Sequence, residues 1–344
     1  MTKRMAIESL ENRSLMAVSV EVVSGDLVVS GDAAGEVLIT SLGSGEYSVS
    51  DNGTAIGTYS GVNDDIRVAL DASKANVSDL VTIDLAGGSV DDVSVALGGG
   101  DNQLVIKSGS IQGNLSVRAA GGDDSVTVDS DVTIAKNATL ALGSGDNKID
   151  LEGAISRSLD IRTGAGDDSV TLGASSAIAR DVTLSLGSGD NSAQLGGTIG
   201  RSTSIETGVG DDLIELLATA KLGRGLNANL GSGDNTLTLG GTITGRVNYS
   251  GGVGNDEVVV AEGTAITGSV DVKLGDGDNK FTHNGSITGN LKVVSFNADD
   301  SLVVADTAVV SGTTNLGAGD QTPEHHHRRG SFGGALARLL GMMR

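Results

Sequence analysis

The stretch Gly164-Ala165-Gly166-Asp167-Asp168-Ser169-Val170 reads G-x-G-D-D-x-V, and it returns along the chain at a fixed spacing. Close copies and a sister version that ends in Asp-Asn alternate, and they begin at Gly143, Gly164, Gly187, Gly208, Gly231, Gly252 and Gly275. Neighbouring copies lie about 21 to 23 residues apart, so the full repeat spans about 44 residues. A fixed period in this range predicts a solenoid.

One unit, residues 169–190, shows how a single repeat is built. Its aliphatic residues alternate with polar ones in three short runs, at Val170 and Leu172, at Ile178, and at Val182, Leu184 and Leu186. Alternation with a period of two indicates β-strands, whereas a helix would place apolar residues three and four apart. Three strands in about 22 residues match one coil of a parallel β-helix, whose coils stack about 4.8 Å apart.

We therefore predict an all-β fold, a right-handed parallel β-helix (β-solenoid) of about 22-residue coils, with a short C-terminal helix. In such a coil every glycine corner lies on one edge of the solenoid. A 44-residue coil with corners on two edges is the alternative, but the aliphatic positions in each 22-residue unit favour the smaller, three-sided coil.

The sequence divides into four segments. Residues 1–17 form an export or N-capping segment, residues 18–92 irregular β-helix coils, residues 93–320 the regular array, and residues 321–344 a basic linker and amphipathic helix. Within the irregular coils, residues 43–46 (Gly-Ser-Gly-Glu) and 61–65 (Gly-Val-Asn-Asp-Asp) resemble degenerate corners. Atypical terminal repeats are expected, because an end coil has a neighbour on one side only.

The C-terminal segment changes character abruptly. Pro323 ends the array, and residues 325–329 read His-His-His-Arg-Arg. The last ten residues place Leu336, Leu339, Leu340 and Met343 at helical spacing beside arginines. We expect this helix to cap the last coil, with binding to an anionic surface as the alternative.

Composition limits the function. The 344 residues carry a formal charge of −21, so the surface should repel nucleic acid and attract cations. Cysteine is absent, which excludes disulfides and thiolate metal sites. Tryptophan is also absent and aromatic residues make up 2% of the chain, as expected of a core of stacked aliphatics. No apolar run approaches the roughly 20 residues of a membrane-spanning helix.

The segment Glu8-Ser9-Leu10-Glu11-Asn12-Arg13-Ser14-Leu15-Met16-Ala17 resembles the E-x-L-E-x-R-x-L-[LM]-A segment near the start of many planctomycete secreted or surface proteins. The resemblance implies export, and we expect the protein to be secreted or at the cell surface. In this chain the arginine-rich lead of that segment shrinks to Lys3 and Arg4. An N-terminal cap on the first coil is the alternative.

The corners resemble the G-G-x-G-x-D-x-[LIV]-x nonapeptide of RTX (repeats-in-toxin) calcium-binding proteins, which occurs in full once, at residues 251–259. The resemblance implies calcium held between coils by the aspartates Asp124, Asp168, Asp212, Asp256 and Asp300. We add Asp123, Asp167 and Asp211, which precede them in the same corners. Unlike RTX tracts, this chain carries the motif once per coil, and Asn replaces Asp in every second corner.

Purely structural corners are the alternative to calcium sites. Glycine permits positive φ at a sharp turn, and Asp or Asn bonds the backbone there. Stacked carboxylates repel, and alternation of Asp with Asn relieves that repulsion without a metal. The first corner position nevertheless stays Asp almost throughout, so we expect a residual demand for divalent cations.

Enzymatic and ice-binding functions find less support. A polysaccharide lyase or hydrolase needs clustered carboxylates and sugar-stacking aromatics, but Tyr47, Tyr59 and Tyr249 are scattered, and His283 stands alone as an expected exposed strand residue. The irregular segment around Asp64, Asp65, Asp91 and Asp92 is the place where a site could hide. Thr236 and Thr238 form a T-x-T pair, but residues such as Gln194 and Lys148 break that column.

We predict a non-enzymatic extracellular or cell-surface structural or adhesive β-solenoid, stabilised by calcium at its Gly-Asp corners. A polysaccharide-active β-helix enzyme is the alternative. The expected partners are divalent cations, with cell-surface components or other copies of the chain as further candidates, and neither nucleic acid nor a membrane span is expected.

Overall fold

Three parallel sheets form the faces of a β-solenoid in the computed structural model, which describes residues 18–33, 35–70, 78–297 and 299–317. The described part of the chain contains strands and turns and no helix, which confirms the all-β prediction. The N-terminal segment and the C-terminal helix of the sequence analysis lie outside the described residues.

From residue 66 onward, each sheet takes one strand from each coil. Sheet A contains β1 (Val18–Val23), β2 (Asp26–Gly31), β6 (Ile66–Leu70), β9 (Val93–Ala96), β12 (Leu115–Arg118), β15 (Ala138–Gly143), β18 (Leu159–Thr163), β21 (Val182–Gly187), β24 (Thr203–Thr207), β27 (Leu226–Gly231), β30 (Val247–Gly251), β33 (Val270–Lys273), β36 (Leu291–Val294) and β39 (Thr314–Leu316).

Sheet B contains β3 (Glu36–Gly43), β4 (Glu46–Asp51), β5 (Thr54–Ser60), β7 (Leu80–Asp84), β10 (Gln103–Lys107), β13 (Ser125–Val128), β16 (Lys148–Leu151), β19 (Ser169–Leu172), β22 (Ser192–Leu195), β25 (Leu213–Leu216), β28 (Thr236–Leu239), β31 (Glu257–Val260), β34 (Lys280–His283) and β37 (Ser301–Val304).

Sheet C is built from shorter strands, namely β8 (Ser89–Val90), β11 (Gly109–Ile111), β14 (Val132–Ile134), β17 (Ala154–Ile155), β20 (Ala177–Ile178), β23 (Thr198–Ile199), β26 (Lys221–Leu222), β29 (Thr242–Ile243), β32 (Ala265–Ile266), β35 (Ser286–Ile287) and β38 (Val309–Val310).

The register of the strands confirms one coil per glycine corner. Corner residues of successive coils form isolated bridges, such as Ala165 with Ser188 and Val209 with Ser232, so all corners share the edge between sheets A and B. Coils of two lengths alternate because the turn from sheet B to sheet C alternates. Residues 173–176 form that turn in one coil and residues 196–197 in the next.

The core is a set of aliphatic columns that run along the solenoid. In the coil that begins at Ser169, six inward side chains are at most 1% exposed: Val170, Leu172, Ile178, Val182, Leu184 and Leu186. Leu184 pairs in register with Ile161 on one side and Ile205 on the other. A single coil buries none of these residues alone, so stacking supplies the hydrophobic stabilisation.

His283 corrects the expectation of an exposed histidine. It lies in register with Val260 and is fully buried, because Phe281 points inward and residues two apart on a strand share a face. Burial lowers the pKa of the imidazole, and Nε2 lies 3.4 Å from the carbonyl oxygen of Val309. His283 is therefore a neutral core residue.

The N-terminal end is closed by antiparallel strands. β1 pairs with β2, and β3, β4 and β5 form a meander at the edge of sheet B. The interpretation of residues 43–46 as a solenoid corner is wrong. They form a hairpin turn in which Ser44 and Gly45 have positive φ. Residues 61–65 likewise lead into sheet A, not into sheet B.

Replacing Leu184 with alanine tests the stacked core. We expect a loss of about 2–5 kcal/mol in unfolding free energy, because the cavity would lie between two coils that cannot close over it. Ser185→Ala, on the outward side of the same strand, should stay within about 0.5 kcal/mol of the parent. Equal stabilities of the two variants in denaturant unfolding would contradict the buried position of Leu184.

Candidate functional site

The glycine corner brings the backbones of neighbouring coils into contact. Gly166 has φ +139°, and a Cβ at this position would overlap the carbonyl group of Gly145 in the preceding coil. Gly189 repeats the geometry with φ +127° against Gly166. Only glycine combines this conformation with so close an approach. The two residues that follow each glycine are thereby fixed in register from coil to coil.

The second of these residues forms what we call the inner column. Its members are buried at the edge between sheets A and B and alternate strictly between Asp and Asn: Asp79, Asn102, Asp124, Asn147, Asp168, Asn191, Asp212, Asn235, Asp256, Asn279 and Asp300. Asp79 is 5% exposed and the others are at most 1% exposed.

From Asn102 onward, each inner side chain accepts a hydrogen bond from the main-chain N–H of its neighbour in the preceding coil. The N–H and the Nδ2 of Asn191 both donate to Oδ1 of Asp212 at 2.9 Å. The N–H of Asp212 donates in turn to Oδ1 of Asn235 at 3.1 Å. Nδ2 of Asn191 also donates to the carbonyl of Gly189 within its own turn, at 2.9 Å. The column is a continuous hydrogen-bonded ladder between coils.

The alternation separates like charges. Neighbouring inner carboxylates would lie about 4.8 Å apart and repel by about 3 kcal/mol at an effective dielectric of 20. An intervening Asn doubles the separation, roughly halves the repulsion, and adds an amide donor to the carboxylate that follows. Because these groups are buried, each Asn stabilises the Asp beside it.

Burial raises the pKa of several inner aspartates. It raises the pKa of Asp79 and Asp256 to about 6, and it raises the pKa of Asp124, Asp168 and Asp212 as well. The Oδ2 atoms of Asp124, Asp168, Asp212 and Asp256 are buried and have no hydrogen-bond partner among the described residues.

Two threonine hydroxyls lie beside the inner carboxylates without satisfying them. Thr163 lies beside Asp168, and Thr207 lies beside Asp212. The two hydroxyls donate to the main-chain carbonyls of Leu186 and Leu230, at 2.9 and 2.7 Å.

The first of the two corner residues forms the outer column, which is exposed. It consists of Asp101, Asp123, Asp146, Asp167, Asp190, Asp211, Asp234, Asn255 and Asp278. The N–H of Asp167 donates to Oδ1 of Asp146 at 2.8 Å, and the N–H of Asp190 donates to Oδ1 of Asp167 at 2.8 Å. No hydrogen bond from a described residue reaches the Oδ2 atoms of Asp146 and Asp167.

The structure separates the predicted calcium ligands into these two columns. Asp124, Asp168, Asp212, Asp256 and Asp300 belong to the inner column, and Asp123, Asp167 and Asp211 belong to the outer column. Calcium takes six to eight oxygens. At an inner corner the neighbouring residue is an Asn whose Nδ2 points at the carboxylate, so two inner carboxylates do not meet.

The outer column suits calcium better. It places carboxylates in successive coils, each with one oxygen free of protein hydrogen bonds, and leaves room for water. Calcium binding at either column stays a prediction. The donor set of the outer column fits a weak, partly hydrated divalent cation, whereas the inner set alone does not form a cage of oxygens.

A third acidic group lies at the start of sheet A. The sequence alone did not predict that its members come together. Single carboxylate oxygens of Asp26, Asp64 and Asp65 fall within 4.8 Å of one another, and no other described residues form such a group. Arg67 already neutralises part of its charge, at 3.1 Å from Asp26 and 2.8 Å from Asp65. The pKa of Asp64 is raised, chiefly by the charge of Asp65.

A polysaccharide enzyme would need a cleft that combines carboxylates with exposed aromatic rings. The best-formed depression, about 240 Å³, lies on sheet A around Asn229, Asn248, Asp271 and Lys273, with Asp271 as its single carboxylate. Tyr47 and Tyr249 are core residues, 2% and 1% exposed, so neither offers a ring for sugar stacking. Burial raises the pKa of both phenols.

The threonine pair does not belong to a regular ice-like column. Thr236 and Thr238 lie in register with Leu213 and Glu215 in the preceding coil. In the following coil they meet Glu257 and Val259. The outward face of sheet B is therefore chemically mixed.

No protein-family model and no curated protein matches the chain. A solved structure of a hyperactive, Ca²⁺-dependent, β-helical antifreeze protein from an Antarctic bacterium is 20% identical, with a TM-score of 0.39, and the match covers 73% of this chain and 75% of that one. In the described part of the chain no helix is long and apolar enough to span a membrane.

Replacing Asn191 with aspartate tests the alternation. The variant places three buried carboxylates in successive coils and removes the amide that donates to Asp212, so we expect a loss of about 3–5 kcal/mol in unfolding free energy at neutral pH. Asp190→Asn, one residue earlier in the exposed column, keeps the Oδ1 acceptor and removes charge repulsion, so it should not lower the unfolding free energy. Denaturant unfolding measures the unfolding free energy of both variants. Equal losses in the two would contradict the stabilising role of the alternation.

The raised pKa values predict a pH dependence. A carboxyl whose pKa is higher in the folded state binds its proton more tightly there, so its contribution to stability is complete below about pH 4 and is lost as the pH rises through about 6. We expect the melting temperature without divalent cations to rise between pH 7 and pH 5. Asp256→Asn should flatten this rise, and an unchanged slope in that variant would show that Asp256 is not its source.

Proposed function

We propose that the chain is a non-enzymatic structural or adhesive β-solenoid that acts outside the cell or at its surface, and that divalent cations, calcium foremost, bind along the outer column. One observation carries the cation proposal. Exposed carboxylates stand in successive coils, each with one oxygen that no hydrogen bond from a described residue reaches.

The negative charges of the outer column repel one another, so bound cations would stabilise it. Neighbouring exposed carboxylates about 5 Å apart repel by roughly 1 kcal/mol when water screens them, and the column continues through most of the array. Each main-chain N–H that reaches an Oδ1 relieves part of this repulsion, but a partial dipole does not cancel a full charge. A divalent cation between two outer carboxylates would cancel it.

The calcium affinity should be modest. Two neighbouring carboxylates supply a minority of the six to eight oxygens that calcium takes, and water would supply the others. Sites of this kind bind calcium at about 10⁻⁴–10⁻³ M, the range of extracellular modules. Export, suggested by the N-terminal resemblance, would place the protein where calcium reaches that level.

The structural or adhesive role is supported by uniformity. The strands of the three sheets repeat from coil to coil, and the core consists of stacked aliphatics with no irregular coil between residues 93 and 297. A rod of this kind presents its corner columns many times, which suits assembly or multivalent contact more than catalysis.

A polysaccharide-active enzyme remains the alternative function, and it has a direct test. Incubation with neutral and acidic polysaccharides should release no reducing ends and no unsaturated sugar if the proposal is right. Release that is lost in an Asp271→Asn variant would favour the enzyme, because Asp271 is the only carboxylate in the best-formed depression.

Thermal unfolding tests the cation proposal. We expect millimolar calcium to raise the melting temperature more than sodium chloride of matched ionic strength, because a ligand that binds only the folded state stabilises it. The quadruple variant Asp146→Asn, Asp167→Asn, Asp190→Asn and Asp211→Asn should lose most of this response. Asn255 shows that an amide fits the column, since its Oδ1 accepts the N–H of Asp278 at 2.8 Å.

A charge-matched control removes four exposed acids outside the column: Asp91→Asn, Asp131→Asn, Glu262→Gln and Asp306→Asn. This control should keep the calcium response of the parent. If calcium and sodium chloride act alike on the parent, the outer column is only screened and the calcium proposal is wrong.

A further inference from the structure

Five basic residues occupy one structural position in five consecutive coils. They come two residues before the sheet A strands that begin at Ala138, Leu159, Val182, Thr203 and Leu226, which pair in register with one another. The residues, which we call the basic column, are Lys136, Arg157, Arg180, Arg201 and Arg224. The N–H of Arg180 donates to the carbonyl of Arg157, and that of Arg201 to the carbonyl of Arg180, both at 3.1 Å.

The charges of the basic column are available to a partner. The four arginines are exposed, and none forms an ion pair with any described residue, whereas Arg67 and Arg162 do. The turn residues before them are small, for example Ala179, Gly200 and Gly223. Asp181 is the one acid within the column's own turns, and its Oδ1 accepts the N–H of Ser202 at 3.2 Å. A free cationic line is unexpected in a chain of net charge −21.

The basic and outer columns lie at opposite ends of the same strands. Each of the strands β15, β18, β21, β24 and β27 begins next to a basic-column residue and ends at a glycine corner. The five corners carry the outer-column aspartates Asp146, Asp167, Asp190, Asp211 and Asp234. Both columns therefore repeat once per coil, with the same spacing of about 4.8 Å.

We propose that copies of this chain associate side by side, with the basic column of one copy against the outer column of the next. The contact joins two different edges of the molecule, so it leaves a free column of each sign and continues into a raft of rods. Guanidinium groups pair well with carboxylates, and within the described residues the outer carboxylates each keep an oxygen that no hydrogen bond reaches.

A second copy fits the basic column better than a foreign polyanion does. The net charge of −21 repels a polyanion at long range, while the outer column of a second copy matches the basic column in repeat spacing and is long enough to face all of its members. Single exposed pairs contribute little, but a matched line of them acts together. The inference does not depend on calcium binding, and calcium at the outer column would compete with it.

Sedimentation velocity of the full chain without calcium tests the proposal at about 0.01 M and about 1 M salt, where the Debye length falls from about 30 Å to about 3 Å. We expect species larger than the monomer at low salt and monomer at high salt. The variant Arg157→Gln, Arg180→Gln, Arg201→Gln and Arg224→Gln should be monomeric at both.

A charge-matched control replaces exposed basic residues outside the column: Lys107→Gln, Arg118→Gln, Lys148→Gln and Lys280→Gln. It should associate like the parent, and circular dichroism with melting at high salt should show that both variants keep the fold. All variants retain residues 318–344. Association driven by the basic tail would survive in the arginine variant and would overturn the proposal.

A mixing experiment identifies the partner edge. The quadruple outer-column variant, Asp146→Asn, Asp167→Asn, Asp190→Asn and Asp211→Asn, should be monomeric alone. Mixed with the arginine variant it should form dimers and nothing larger, because each partner then has one working column. A monomeric parent at low salt, or no dimer in the mixture, would overturn the proposal. Arginine-dependent binding of polyacrylate by a monomeric parent would instead point to a polyanionic partner.

Discussion

The hydrogen bond from a corner N–H to the Asp or Asn side chain of the next coil is the interaction on which the rest of the structure depends. At each corner the chain turns from sheet A to sheet B, and its buried N–H groups need partners. Oδ1 of Asp168 accepts a hydrogen bond from the N–H of Asn147 at 3.0 Å, and the N–H of Asp168 donates to Oδ1 of Asn191 at 3.2 Å. Because each bond joins two coils, the register of the corners also sets the register of the aliphatic columns.

This ladder explains the acidity of the molecule. A corner side chain must be short and must carry an acceptor oxygen, which leaves Asp and Asn as the natural choices. In the buried column, Asn separates the charges. In the exposed column, water screens them, so Asp is tolerated nearly throughout. The outer column is thus first a structural device, and its negative charge makes it a candidate site for calcium or for a cationic edge.

The repeat period and the alternation of aliphatics were enough to predict the coil, its three strands and the common edge of the corners. The burial of His283 could also have been predicted from the sequence. Phe281 is a large apolar residue that should point inward, and residues two apart on a strand share a face. Other features depend on the pairing register of strands in neighbouring coils, which the sequence alone does not reveal. Asp79 joins the inner column without a glycine corner, and the basic column is invisible until the alternating turn lengths are known. The hairpin at Ser44 and Gly45 resembles a solenoid corner in sequence and differs only in how its strands pair.

Residue-resolved hydrogen exchange at the corners is the most direct measurement. Turns usually exchange fast, because their N–H groups face water or weak acceptors. The ladder predicts that the amides of Asp168, Asn191 and Asp212 exchange as slowly as those of the adjacent strands β19, β22 and β25. Corner amides that exchange like an exposed loop, while those strands stay protected, would contradict it.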